Sequence, residues 1–214
     1  MCGITGYLNL DGKPASARVL RAMTDAIAHR GPDGEGFFVD GGLGLRHRQL
    51  AIIDLTPAGD QPITSADGRH VISYNGEVYN FRELRKELEA KEYRFRSKSD
   101  AEVVLNAFAE WGERALDRMN GMFAFAIWDR RRKELTLARD RYGIKPLYYT
   151  LTNGAFVFGS EIKAILAHPG GVGDDGPGRP DRILHLSELL RRRYAVLRRA
   201  IVAAGDLHAT APRR

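Results

Sequence analysis

This chain of 214 residues has a single cysteine, Cys2. A disulfide within the chain and a multi-cysteine metal site are therefore excluded, and a reducing compartment is expected. Long apolar runs are missing as well. No stretch approaches the roughly 18 uninterrupted apolar residues of a membrane span, and residues 1–30 lack the basic, apolar and small-residue order of a signal peptide. A cytoplasmic location without a membrane partner is the expectation. Charge of one sign is also scarce over most of the chain: residues 170–214 hold nine arginines against five acids, a net +4 of the total +6, which leaves +2 for the rest. Basic and acidic residues alternate along Arg82, Glu83, Arg85, Lys86 and Glu87, as on a solvated helix face. Nucleic acid is thus not an expected partner, and no internal repeat is visible.

What is present is ordinary globular composition, 43% hydrophobic and 28% charged, enough for one substantial core. Cys2 to Leu8 reads as a strand. Ser16 is placed to cap a helix reaching about Ala28, with Val19, Leu20, Met23 and Ile27 on its apolar face. The run from His29 to Gly36 reads as a glycine-rich loop. Phe37 to Val39, Gly44 to His47 and Leu50 to Leu55 read as short strands. Val71 to Tyr74 is a strand running into Asn75-Gly76-Glu77, whose plain reading is a hairpin turn. Asn80 with Glu83 and Ser99 with Glu102 have the spacing of capping boxes. Met122 to Trp128, Glu134 to Ala138, Leu147 to Thr150 and Ala155 to Phe158 give four more strands, with turns at 129–133 and 153–154, and a short helix spans 160–166. Strands, helices, then strands again favour an α+β fold of stacked antiparallel sheets. The expected organisation is a domain over residues 1–168, a Gly/Pro-rich linker over 169–182, and a basic tail over 183–214 that is partly helical, with an arginine-rich amphipathic helix from Leu186 to Val202.

Cys2 is the candidate with chemistry. Loss of Met1 makes it the amino-terminal residue, and an α-amine titrating near 7.7–8.0 is then a general base on the same residue as the thiol. The alternative for a lone cysteine is a small buried hydrophobe in the first strand.

The runs Met1-Cys2-Gly3-Ile4, His29-Arg30-Gly31-Pro32-Asp33, Tyr74 to Asn80, Ser99-Asp100, Gly121 to Ala126 and Arg139 to Tyr149 together resemble the glutamine-hydrolysing domain of asparagine synthetases. These are class II amidotransferases. The resemblance covers residues 1 to about 168, and it implies the N-terminal-nucleophile hydrolase fold, a four-layer αββα sandwich of two antiparallel sheets. It implies L-glutamine as substrate, Cys2 as nucleophile forming a γ-glutamyl thioester, and the Asn75 amide with the Gly76 N–H as oxyanion hole. Asp100 matches the residue that pairs with the substrate ammonium. Glu77 belongs to the glutamine-contacting turn, and Gln49, Leu50 and Ile52 fall in the substrate-contacting segment. Arg30 takes a supporting place near the nucleophile. No metal is expected in the site.

At one position the sequence departs from the family. An arginine directly before the Leu50 position holds the glutamine carboxylate in the family, whereas this chain has Arg48 followed by Gln49. Adjacent strand residues point to opposite faces, so Arg48 is not a replacement, and weaker glutamine binding is expected. The family's second domain, which uses ATP and Mg²⁺ to activate aspartate, has no counterpart here, and nothing after Pro169 continues the family pattern. The expectation is therefore a glutaminase half-reaction, with no cofactor in this chain and a synthetase domain possible in trans. A weakly active glutamine-binding remnant is the alternative.

Overall fold

Strand β1, Gly3–Asn9, is buried on both faces. Ile4 and Leu8 turn toward one apolar layer and Tyr7 toward another, as the period of two requires. The computed structural model describes residues 1–50, 56–152 and 154–170 together with the backbone of two short strands, 184–185 and 195–200. In chain order β1 is followed by α1 (Ala17–Asp25), β2 (Gly34–Asp40), β3 (Leu43–Gln49), β4 (Ile63–Thr64), β5 (His70–Val78), α2 (Phe81–Glu89), α3 (Asp100–Trp111), α4 (Ala115–Arg118), β6 (Gly121–Asp129), β7 (Glu134–Arg139), β8 (Tyr148–Thr152), β9 (Ala155–Gly159), α5 (Ile162–Leu166), β10 (Leu184–His185) and β11 (Ala195–Ala200).

The strands form two sheets, ordered β10-β8-β9-β1-β3-β2 and β11-β7-β6-β5-β4, with every pairing antiparallel. They share an inter-sheet core that includes Ile4, Leu45, Val71, Ala126, Trp128, Leu137 and Phe158. Helices α2 and α3 cover the outer face of the second sheet through Leu84, Val104, Phe123 and Phe125, while α1 and α5 cover the first through Leu20, Met23 and Ile165. The result is the expected αββα order of layers. Strand β6 shows how the sequence encodes it: Phe123, Phe125 and Ile127 fill the helix side, and the small Ala124 and Ala126 let the sheets approach.

Several local expectations are corrected. Asn75 and Gly76 are no turn but lie inside β5, paired with Ala124 and Phe123 of β6; Asn-Gly permits reversal without requiring it, and nine residues of pairing to β6 outweigh that preference. The capping boxes do not close. Asn80 makes no cap bond, because its amide donates to the Arg118 carbonyl and accepts from the Asn120 amide. Ser99 does cap α3 by accepting from the Ala101 amide, but Glu102 is taken by the amides of Arg96 and Ser97. Ser16 makes no side-chain cap, and α1 stops at Asp25, with a separate 3₁₀ turn at Ala28–Arg30. The glycine-rich loop is shorter than expected, since β2 begins at Gly34. Within the predicted tail helix, residues 195–200 are instead strand β11, which hydrogen-bonds along the edge of β7. The strand predicted over 50–55 lies, beyond Leu50, outside the described residues.

Candidate active site

The site forms where the start of β1 meets the far half of β5. Gly3 pairs with Arg48, so the next rung sets Cys2 opposite Gln49. The Leu50 amide donates to Cys2 Sγ at 3.4 Å, and the thiol faces the Leu50 carbonyl at 3.6 Å. Behind the thiol, Arg30 Nε donates to the Cys2 carbonyl at 3.0 Å and its Nη1 donates to Glu161 at 3.0 Å. Ser160 fixes the chain two residues on by accepting from the Ile4 amide at 3.0 Å. The nucleophile candidate is therefore held through its backbone, which leaves the side chain for the cleft. Burial pushes the Cys2 thiol up; the Leu50 amide, the amino terminus and Lys145 pull it down, Asp100 raises it further, and the net direction is upward.

On β5 the backbone hydrogen bonds alternate between edges, and three even-numbered residues face the cleft edge. Gln61 occupies Tyr74 there, accepting from its amide at 2.7 Å and donating to its carbonyl at 3.1 Å. Two rungs on, the Val78 amide donates to Asp100 at 3.0 Å. Gly76 lies between them, so its N–H points to the same edge. On the other side, Phe123, the register partner of Gly76, turns its amide and carbonyl to Asp140. Glycine is required at this rung: a Cβ on Gly76 would meet the Met122 carbonyl at 2.7 Å and Phe123 Cβ at 2.8 Å. The neighbouring Asn75 is 1% exposed, and its Nδ2 is buried without a hydrogen-bond partner among the described residues. Such donors are uncommon and costly in a folded interior. Asn75 and Gly76 both line one cleft.

That cleft is lined by Met1, Cys2, Gln49, Leu50, Gly59, Gln61, Tyr74 to Glu77, Ser99, Asp100 and Lys145. Asp100 opens α3 and accepts from the Tyr74 hydroxyl at 2.7 Å. Burial pushes its carboxyl up, against the opposing pull of Tyr74 and Val78. The Tyr74 hydroxyl is held well above its ordinary range by burial and then by Asp100. Deeper between the sheets, His47 is fully buried beside Ser73 at 3.3 Å, and burial lowers its pKa to about 3, so it is neutral.

Of the residues expected in the site, Cys2, Gln49, Leu50, Asn75, Gly76, Glu77 and Asp100 meet in this cleft. Arg30 stands behind Cys2, and Ile52 lies outside the described residues. Arg48 is turned away, pairing with Asp25 at 2.6 Å and Glu35 at 3.2 Å, so Gln49 alone of the two faces the cleft. Sequence reasoning passed over Gln61, Tyr74 and Lys145. Lys145 lies inside the quoted Arg139 to Tyr149 run, but nothing local marks its direction; Gln61 acts through long-range pairing that carries no local signal. Among the described residues, no group of three or more His, Cys, Asp or Glu is placed to hold a metal ion. None of the described helices is long and apolar enough to cross a membrane.

Comparison with known proteins matches these features. Residues 1–176 match the family model for a glutamine amidotransferase domain. The chain is 44% identical over 172 residues to asparagine synthetase [glutamine-hydrolyzing] 3 of Bacillus subtilis, a match covering 79% of this chain and 28% of that protein. It is 38% identical over 179 residues to the amidase chry2 of Gibberella zeae, covering 78% of this chain and 26% of that protein. The chain spans about a quarter of the length of the curated relatives it matches. Among solved structures, glutamine phosphoribosylpyrophosphate amidotransferase of B. subtilis, complexed with ADP and GMP, aligns with a TM-score of 0.68 at 20% identity, covering 86% of this chain and 48% of that one. At that identity the likeness concerns the fold alone, the αββα sandwich.

Proposed function

The chain belongs to the glutamine amidotransferase domain family, and from that premise we propose that Cys2, freed of Met1, hydrolyses L-glutamine through a cysteinyl thioester. The observation that carries this reading is the cleft itself, which the only thiol of the chain lines together with Gly76 and with Asn75, whose buried Nδ2 has no hydrogen-bond partner among the described residues.

In this reading the thiol proton passes to the α-amine of Cys2, and Sγ attacks the side-chain amide carbon of glutamine. Negative charge collects on the carbonyl oxygen, where Asn75 Nδ2 and Gly76 N–H receive it without reorganising. The α-ammonium returns its proton to the departing nitrogen, the C–N bond breaks, and ammonia leaves a γ-glutamyl thioester. Water then attacks the thioester carbon, the C–S bond breaks, and glutamate is released. Asp100 and Glu77 face the substrate ammonium, Leu50 and Gln49 line its backbone end together with Ile52, and Arg30 keeps Cys2 in position.

We take the catalytic domain to be residues 1–168, followed by the Gly/Pro-rich linker and the basic tail. The ammonia is meant for an acceptor domain that makes asparagine from aspartate and ATP, a reading supported by the names of the 41–44% identical relatives. Location in the cytoplasm fits a chain with one thiol. Intact mass with amino-terminal sequencing, followed by a glutamate and ammonia assay, tests the reading. Met1 is expected to be absent, and Cys2→Ala is expected to reduce turnover by roughly 10⁴-fold or more. Equal ammonia release by Cys2→Ala, or activity with Met1 retained, would overturn it.

A further inference from the structure

Lys145 is 6% exposed, yet it lines the cleft beside Met1 and Cys2. Its Nζ contacts Met1 Sδ at 3.6 Å, and a thioether is only a weak acceptor. Among the described residues no carboxylate forms an ion pair with it. A buried ammonium without a counter-charge is costly, so a fold that retains one is built to meet an anion that comes and goes. The placement is rigid. The Lys145 amide donates to Asp140 at 3.1 Å and its carbonyl accepts from Arg139 at 2.6 Å. The same Asp140 oxygen accepts from the amide of Phe123, the rung partner of Gly76. Lys145 is thereby tied to β6, the strand paired with Asn75 and Gly76.

We propose that the Lys145 ammonium is the counter-charge to the thiolate that forms on Cys2, and so sets how readily the nucleophile is generated. The proposal rests on the reading of Cys2 as nucleophile and names the group that regulates it. The charged and titratable groups around the thiol are few. Asp100 from the start of α3, together with Tyr74 and Glu77 from β5, surrounds it on the second sheet. Arg30 is committed to the Cys2 carbonyl and Glu161. Among the described residues, the amino terminus and Lys145 are the cations that act on the sulfur. Burial and Asp100 oppose a thiolate while Lys145 favours one. The proton lost by the thiol goes to the α-amine, so the step changes no oxidation state and consumes no further reactant. An alternative anion is the α-carboxylate of the substrate. The shared lining of Lys145 and Cys2 in one cleft and the tie to the Phe123 rung opposite Gly76 favour the sulfur.

Because Cys2 is the only cysteine, alkylation by iodoacetamide reports on it alone. The rate is measured against pH on the full chain, its amino terminus read by intact mass, for wild type, Lys145→Met, Lys145→Gln and Lys145→Arg. Both neutral variants should move the alkylation profile up by about one pH unit, slowing the reaction about tenfold at pH 7, and Lys145→Arg should restore it to within about twofold. Having two neutral variants keeps the test decisive should one fail to fold. Coincident profiles for wild type and a folded neutral variant would overturn the proposal. So would an unchanged profile with a raised glutamine KM, which would assign Lys145 to the substrate carboxylate. Alkylation needs no turnover, so absence of glutaminase activity in the wild type would overturn the proposed function and leave this measurement standing.

Discussion

The two ends of β5 each gather an aspartate into a polar cluster, and the clusters are electrostatic opposites. At the His70 end, burial tends to raise Asp129, but Arg69, His70 and the amides of Arg131 and Arg132 lower its pKa to about 2. Arg69 alone donates at 2.6, 3.1 and 3.2 Å. At the Val78 end, Asp100 is pushed up by burial despite Tyr74 and Val78, and in the same cleft stand an amide donor without a partner and a lysine without a counter-ion among the described residues. A carboxylate saturated with donors stabilises the fold by itself. A set of unmatched groups is costly until something complementary arrives, which is the property expected of a substrate site. One sheet carries both, and their separation along a nine-residue strand keeps the stabilising cluster clear of the reactive one.

Substitutions at each end should therefore break different things. Asn75→Ala removes the unpartnered donor, and glutaminase kcat should fall by about 10²–10³-fold with little change in thermal stability, since no intramolecular bond is lost. A large loss of stability instead would place Asn75 with the structural cluster. Asp129→Asn should leave KM and kcat within about twofold while costing about 2 kcal/mol at pH 7, the equivalent of the shift from 3.8 to about 2. The sign fixes the pH window: a depressed carboxylate contributes fully above its unfolded value near 3.8, and the contribution disappears as pH falls through about 2. Denaturant titrations of both proteins should therefore converge toward pH 2, and a constant difference down to that pH would contradict the assignment. The smallest effect is expected from Gln49→Arg, which places a charged donor where a neutral one lines the cleft. A charge-assisted contact exceeds a neutral one by about 1 kcal/mol or more, so glutamine KM should fall by up to about tenfold, and an unchanged KM would show that the carboxylate is held elsewhere.

Much of the architecture was legible because alternation is a local property. The strands at β1 and β6 and the turn at 129–133 were read from residues adjacent in sequence, and they stand in the structure at Gly3–Asn9, at Gly121–Asp129 and between Asp129 and Glu134. The departure at Gln49 was legible from the family resemblance, and alternation excluded Arg48 as a replacement. Neighbours on a strand face apart, and Arg48 does pair with Asp25 and Glu35 on the far side. Gly76 was singled out by the family resemblance, and its crowding against Met122 and Phe123 shows why a glycine stands there.

Tertiary structure alone decided the rest, because pairing partners distant in sequence choose among states that the local chain permits. Asn75-Gly76 could reverse or extend, and β6 makes it extend. Glu102 could close a capping box, but the loop at Arg96 and Ser97 offers more donors. Gln61 serves as a side-chain stand-in for a neighbouring strand on Tyr74, a role that exists only after β5 is in place. Lys145 is one cation among many in the sequence, and its isolation is created by burial. The sequence by itself determined the layers, the faces of the strands and the thiol at position 2; the long-range register determined which donors and charges were left unmatched around that thiol, since a partner counts only where the fold brings it within reach.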